Sequence, residues 1–107
     1  MTTAPANDPV LQRFKAALKD IYGDRIDRVV LFGSRARGEA RPDSDYDVAV
    51  FLKELPDAWT ERRRLADLRV DFLDATGAFF EAQPYPMTAW RDRTPLMHEI
   101  RRDGVDL

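Results

Sequence analysis

The chain reads as an α/β domain, a small mixed sheet of about three strands flanked by helices, and three observations predict it. Two short apolar runs, Val29–Phe32 and Val48–Leu52, have strand length and end in turn-forming residues. Longer segments with apolar residues at helical spacing precede and follow this pair. A third short run, Ala78–Gln83, comes after the longest helical segment and is closed by Pro84-Tyr85-Pro86. A strand that returns after a helix is expected to lie parallel to its predecessor through a right-handed crossover.

Residues 1–7 read as a flexible tail and residues 8–107 as one domain. The tail has neither the basic nor the apolar region of a signal peptide. Asp8-Pro9 is a helix start, with Asp8 as N-cap and Pro9 where a missing N–H costs little. Val10, Phe14, Ala17, Leu18 and Ile21 form the expected buried stripe, and Gly23 the stop. The paired apolar runs then enclose a short helical segment, Arg35–Ala40. The two strands must run antiparallel if the end of the first and the start of the second are to reach one site.

Pro56-Asp57 opens the long helix, which carries Leu65, Leu68, Phe72 and Ala75 and stops at Gly77. Its Glu61–Arg64 cluster reads as a solvated face. Val70–Leu73 has the alternative reading of a strand, because periodicity is ambiguous over so few residues. The prolines after Gln83 are expected to end the third strand, since they cannot donate to a sheet ladder. Met87–Arg93 reads as a loop with Trp90 at the core edge. Thr94-Pro95 starts a last helix with Leu96, Met97 and Ile100 on one side, His98 on its surface and Gly104 after it.

Composition removes several classes of function. A net charge of −2 supplies no general attraction for nucleic acid. The absence of cysteine excludes disulfides and thiolate metal sites, and it fits a cytoplasmic location. No apolar run approaches the length of a membrane span.

The chemistry concentrates between the two paired strands. Asp45 and Asp47 are alternate residues, so in a strand both point to one face with Cα atoms roughly 6.5–7 Å apart. Two like charges at the end of a buried strand are tolerable when a cation lies between them, and Mg²⁺ prefers such oxygen ligands. Gly33 lets the backbone turn sharply and leaves room for a ligand where a Cβ would stand. Ser34 follows near the start of the short segment, where free N–H groups favour a phosphate. Arg35, Arg37 and Arg41 add cationic forks suited to phosphate oxygens. A phosphate cradle ahead of a carboxylate pair is apparatus for phosphoryl or nucleotidyl transfer.

Gly33-Ser34, Gly38 and Ser44-Asp45-Tyr46-Asp47 together resemble the signature of the DNA polymerase β-type nucleotidyltransferase superfamily. The wording Gly-Ser-Arg-Ala-Arg-Gly resembles its minimal branch, the MNT domains, often antitoxins paired with HEPN-domain toxins. The resemblance implies that fold, with Asp45 and Asp47 as catalytic metal ligands for Mg²⁺ or Mn²⁺. It implies nucleotide contacts from Gly33, Ser34, Arg35, Arg37 and Ser44. It also implies a third carboxylate on the third strand, for which Glu81 is the candidate and Asp71 the runner-up should Val70–Leu73 be the strand. The implied activity is transfer of AMP from ATP to a HEPN-type partner within a toxin–antitoxin pair. Neutralisation of a partner by contact alone, or transfer to a small molecule, are the alternatives.

Overall fold

The computed structural model describes residues 4–107. The first three residues of the expected tail lie outside the described residues, and Pro5–Asn7 forms a 3-10 turn to which the Gln12 side chain donates. Helix α1 (Pro9–Tyr22) leads to strand β1 (Ile26–Phe32) and then strand β2 (Tyr46–Leu52). Helix α2 (Ala58–Thr76), strand β3 (Phe80–Pro86), helix α3 (Pro95–Asp103) and strand β4 (Val105–Asp106) complete the order. The sheet order is β3-β2-β1-β4, with β1 antiparallel to β2 and β4, and β3 parallel to β2. The antiparallel pair and the parallel return are as the sequence predicts. Among the described residues there are four strands rather than about three: β4 has two residues, too few for any alternation to signal it.

Residue alternation divides the core into two layers. Val29, Leu31, Tyr46, Val48, Val50, Leu52, Phe80 and Ala82 pack with α1 and α2 on one face. Val30, Ala49 and Phe51 pack on the other with Ala89, Met97 and Ile100. Asp47 and Glu81 belong to this second face, where they stand side by side in the parallel register.

Several elements differ from the expectation for identifiable reasons. Of the expected α1 stripe, Phe14 and Leu18 are buried and Val10 and Ala17 pack partly buried against the core, whereas Ile21 is exposed and Leu11 and Tyr22 are buried instead. Both edges of the stripe have helical spacing, and the core shared with Val29 and Leu31 takes the Leu11 and Tyr22 edge and leaves Ile21 out. Residues 34–38 are turns and not the short helix expected, with Arg37 N–H bonded to Gly33 O and Glu39 N–H to Ser34 O. Val70–Leu73 is helical, inside α2. Strand β3 starts at Phe80 and includes both prolines. The Tyr46 N–H donates to Phe79 O, so odd-numbered residues of β3 face β2. Pro84 and Pro86 then turn their backbone nitrogens to the open edge, where no ladder bond is lost. Glu61 is buried, paired to Arg25 at 2.9 Å and Arg64 at 3.5 Å, rather than solvated. Met87–Arg91 is a 3-10 turn that seats Trp90 edge-on to Phe51.

The candidate active site

Where β1 ends, the chain must leave the sheet without covering the start of β2, and Gly33 makes this turn at φ +75°. A Cβ at this position would overlap the Asp47 carboxylate. Glycine is required twice over, by the left-handed backbone and by the approach of that side chain. Phe32 pairs with Asp47 across the ladder, so the Gly33–Ser34 turn stands directly against the carboxylate.

Asp47 is half-buried, and its carboxyl is raised above the ordinary carboxylate range. Burial is the first cause, followed by the charges of Asp45, Glu99 and Glu81, with Arg37 acting in the opposite direction. No hydrogen bond or ion pair reaches the side chains of Asp45 or Asp47 among the described residues. A carboxylate removed from water and left unpaired is costly unless something else neutralises it. Hard oxygen donors on one rim fit Mg²⁺ or Mn²⁺. Among the described residues no group of three or more His, Cys, Asp or Glu is gathered closely enough to hold a metal by itself.

Glu81 shares the face and register of Asp47, but both its oxygens have partners. Arg69 Nη2 donates to it at 2.8 Å and Gln83 Nε2 at 3.0 Å. Arg69 comes from α2 round the open edge of the sheet and also donates to Phe80 O. Asp71 is exposed on α2, outside β3. Glu99, on α3, joins Asp45 and Glu81 as a third carboxylate in the field of Asp47, one that sequence reasoning missed. Only its place one residue before the buried Ile100 could have hinted at it.

The loop between β1 and β2 is held from inside. Arg35 donates to Ser44 O at 2.8 and 3.0 Å and to Pro42 O at 3.3 Å. Its guanidinium lies over the Tyr46 ring, 3.9 Å from the centroid. Ser44 Oγ accepts from Arg41 N–H at 2.8 Å. Arg35 and Ser44 thus shape the loop, whereas no hydrogen bond from Ser34 Oγ is made among the described residues. Arg37 pairs with Glu39 at 3.2 Å and with Asp103 at 3.7 Å, tying the loop to the end of α3. Under the loop, Tyr46 donates to Asp8 Oδ2 at 2.5 Å, while Asp8 Oδ1 caps α1 through the N–H groups of Val10 and Leu11. Burial and this bond push the Tyr46 hydroxyl up to about 12.

A glycine turn is thus pressed on the Asp47 carboxylate at the mouth of an antiparallel strand pair, with the exposed Asp45 just ahead of β2. The family model described as the nucleotidyltransferase domain matches residues 11–85. This chain belongs to that family. A Methanocaldococcus jannaschii protein named among the protein adenylyltransferases is 45% identical over 47 residues, 44% of this chain and 48% of that protein. The protein adenylyltransferase MntA of Thermococcus cleftensis is 38% identical over 56 residues, 52% of this chain and 54% of MntA. The chain thus spans about half the length of these curated relatives. Among solved structures, a toxin–antitoxin complex with AMP-PNP matches with TM-score 0.63 and 19% identity, over 89% of this chain and 70% of the other. An MntA–HpeT mutant complex matches with TM-score 0.62 and 17% identity, over the same shares. At these identities the two structures establish the fold.

Proposed function

We propose that this domain is a metal-dependent adenylyltransferase that moves AMP from ATP to a partner protein. In this reading it is the antitoxin of a cytoplasmic pair with a HEPN-type toxin, which it silences by modification. The observation that carries the proposal is the half-buried Asp47 carboxylate, unpaired and pressed against Gly33. The names of the curated relatives and the family's chemistry support the choice of AMP and of a protein acceptor.

Asp45 and Asp47 would hold Mg²⁺ or Mn²⁺, with Glu81 as third carboxylate, and the metal would supply positive charge at the transferring phosphoryl group. Gly33 makes room for the Asp47 carboxylate, and Ser34 Oγ, which makes no hydrogen bond among the described residues, would donate to phosphate oxygens. Arg35 and Ser44 keep the loop in shape, and Arg37 adds positive potential beside Asp47. Glu81 must leave or share Arg69 to join the other carboxylates or to accept the proton of the attacking hydroxyl. Incubation of the domain with Mg²⁺, labelled ATP and the product of a neighbouring HEPN-type gene should label that product. Asp45→Ala/Asp47→Ala should abolish labelling.

The engagement of Glu81 by Arg69 and Gln83 favours one second reading, a nucleotide-binding module that neutralises its partner by contact. Suppression of toxicity by Asp45→Ala/Asp47→Ala at equal expression would make that the better account.

A further inference from the structure

The second face of the sheet carries a feature that the transfer site does not use. A cavity of ≈ 620 Å³ is lined by Arg28, Trp90, Arg91, Arg93, His98 and Arg101. Its lining has four arginines and no carboxylate, in a chain whose net charge is −2. Arg28 lies over the Trp90 ring, 3.8 Å from the centroid, and Arg101 donates to the carbonyls of Trp90 and Asp92. These two contacts fix the floor. Arg91, Arg93 and His98 are exposed, and their side chains make no hydrogen bond or ion pair among the described residues. Carboxylates lie nearby as well: Asp106 pairs with Arg28 at 3.9 Å, Asp27 lines the adjoining hollow, and the exposed Asp92 stands between Arg91 and Arg93 in the chain. None of them pairs with Arg91, Arg93 or His98 among the described residues.

We propose that this arginine cavity docks an acidic segment of the acceptor protein and so selects which residue is modified, an inference that rests on the transfer reading above. Arg28 and Phe32 are four residues apart on β1, about 13 Å by strand rise, and Phe32 pairs with Asp47. Helix α3 joins the two regions, with Glu99 in the field of Asp47 and His98 and Arg101 at the cavity. An extended peptide of about four residues spans that distance. Arginine forks match carboxylates in pairs. The four arginines meet at one hollow, and a net charge of −2 supplies no general attraction for a nucleic-acid backbone.

Fluorescence anisotropy with a fluorescein-labelled hexaglutamate peptide, at low ionic strength, tests the docking site directly. The full chain should bind it, Arg91→Glu/Arg93→Glu should weaken binding at least about tenfold, and Asp47→Asn should leave it unchanged. Unchanged binding by the charge-reversed variant overturns the proposal, as does tighter binding of a labelled hexauridylate RNA. In the transfer assay the same variant should raise KM for the acceptor protein while kcat and KM for ATP stay as in wild type. Absence of labelling by the wild type would count against the transfer reading alone, because the peptide measurement still decides the docking site.

Discussion

At Gly33 and Asp47, two residues determine each other's conformation. Gly33→Ala forces a left-handed backbone on an L-residue, costing about 1–2 kcal/mol, and drives a methyl group into Asp47. The expected result is a lower melting temperature together with loss of nucleotide binding, read by calorimetry. Asp47 makes a pH prediction of opposite sense to that of most carboxylates. Its folded carboxyl is raised above 3.8, so the folded state holds its proton more tightly than the unfolded chain. That contribution is complete below the unfolded value and is lost as pH rises through the folded one. Asp47→Asn should therefore melt higher than wild type at neutral pH, with the gap closing as pH falls towards 3.8. A melting series across that range checks it, and a wild type as stable as the variant at pH 7 would contradict it.

Between elements, Asp8 has the widest reach, since one carboxylate caps α1 and accepts from Tyr46 at the head of β2. Asp8→Ala should cost about 2–4 kcal/mol, the sum of a lost cap and an unsatisfied buried hydroxyl. Tyr46→Phe should cost about 1–2 kcal/mol, because the cap survives. Urea unfolding of both variants tests the ranking. The reach of α2 round the sheet edge leads to a second prediction. Glu81→Gln should strongly reduce AMP transfer without unfolding the domain, and Asp71→Asn, exposed on α2, should do little. The reverse pattern in the labelling assay would remove Glu81 from the site.

For the whole molecule, charge is distributed as regions of opposite sign on one face of the sheet. Asp45, Asp47, Glu81 and Glu99 share one field near the loop, and the arginine cavity lies further along the strands. The acidic end repels a triphosphate unless a cation is present. Nucleotide binding should accordingly require Mg²⁺ or Mn²⁺ and stabilise the fold. At a hundredfold excess over Kd the gain is about 2.7 kcal/mol, or roughly 10–20 °C in Tm for a domain of this size. A thermal-shift series with AMP-PNP should show the rise only with metal, and Asp45→Asn/Asp47→Asn should lose it. An equal shift without metal would exclude Asp45 and Asp47 as metal ligands.

The residues by themselves determined the paired strands, the helix starts at Asp8, Asp57 and Thr94, and the approach of the end of β1 to the start of β2. A cap acts within one turn, and strands consecutive in the chain commonly pair even across a long loop such as residues 33–45. The filling of the space at Gly33 by the Asp47 carboxylate, where a ligand was expected, was not legible. Tertiary packing decided what was degenerate in the sequence. Both edges of the α1 stripe had helical spacing, and only the sheet beneath selected Leu11 over Ile21. The prolines of β3 were acceptable once that strand lay at an edge, a property of strand order and not of residue type. Burial of Glu61, the clasp of Arg69 on Glu81 and the approach of Glu99 to Asp47 join residues at least 12 positions apart or on separate elements. No periodicity encodes such contacts, because they depend on where helices lie against the sheet.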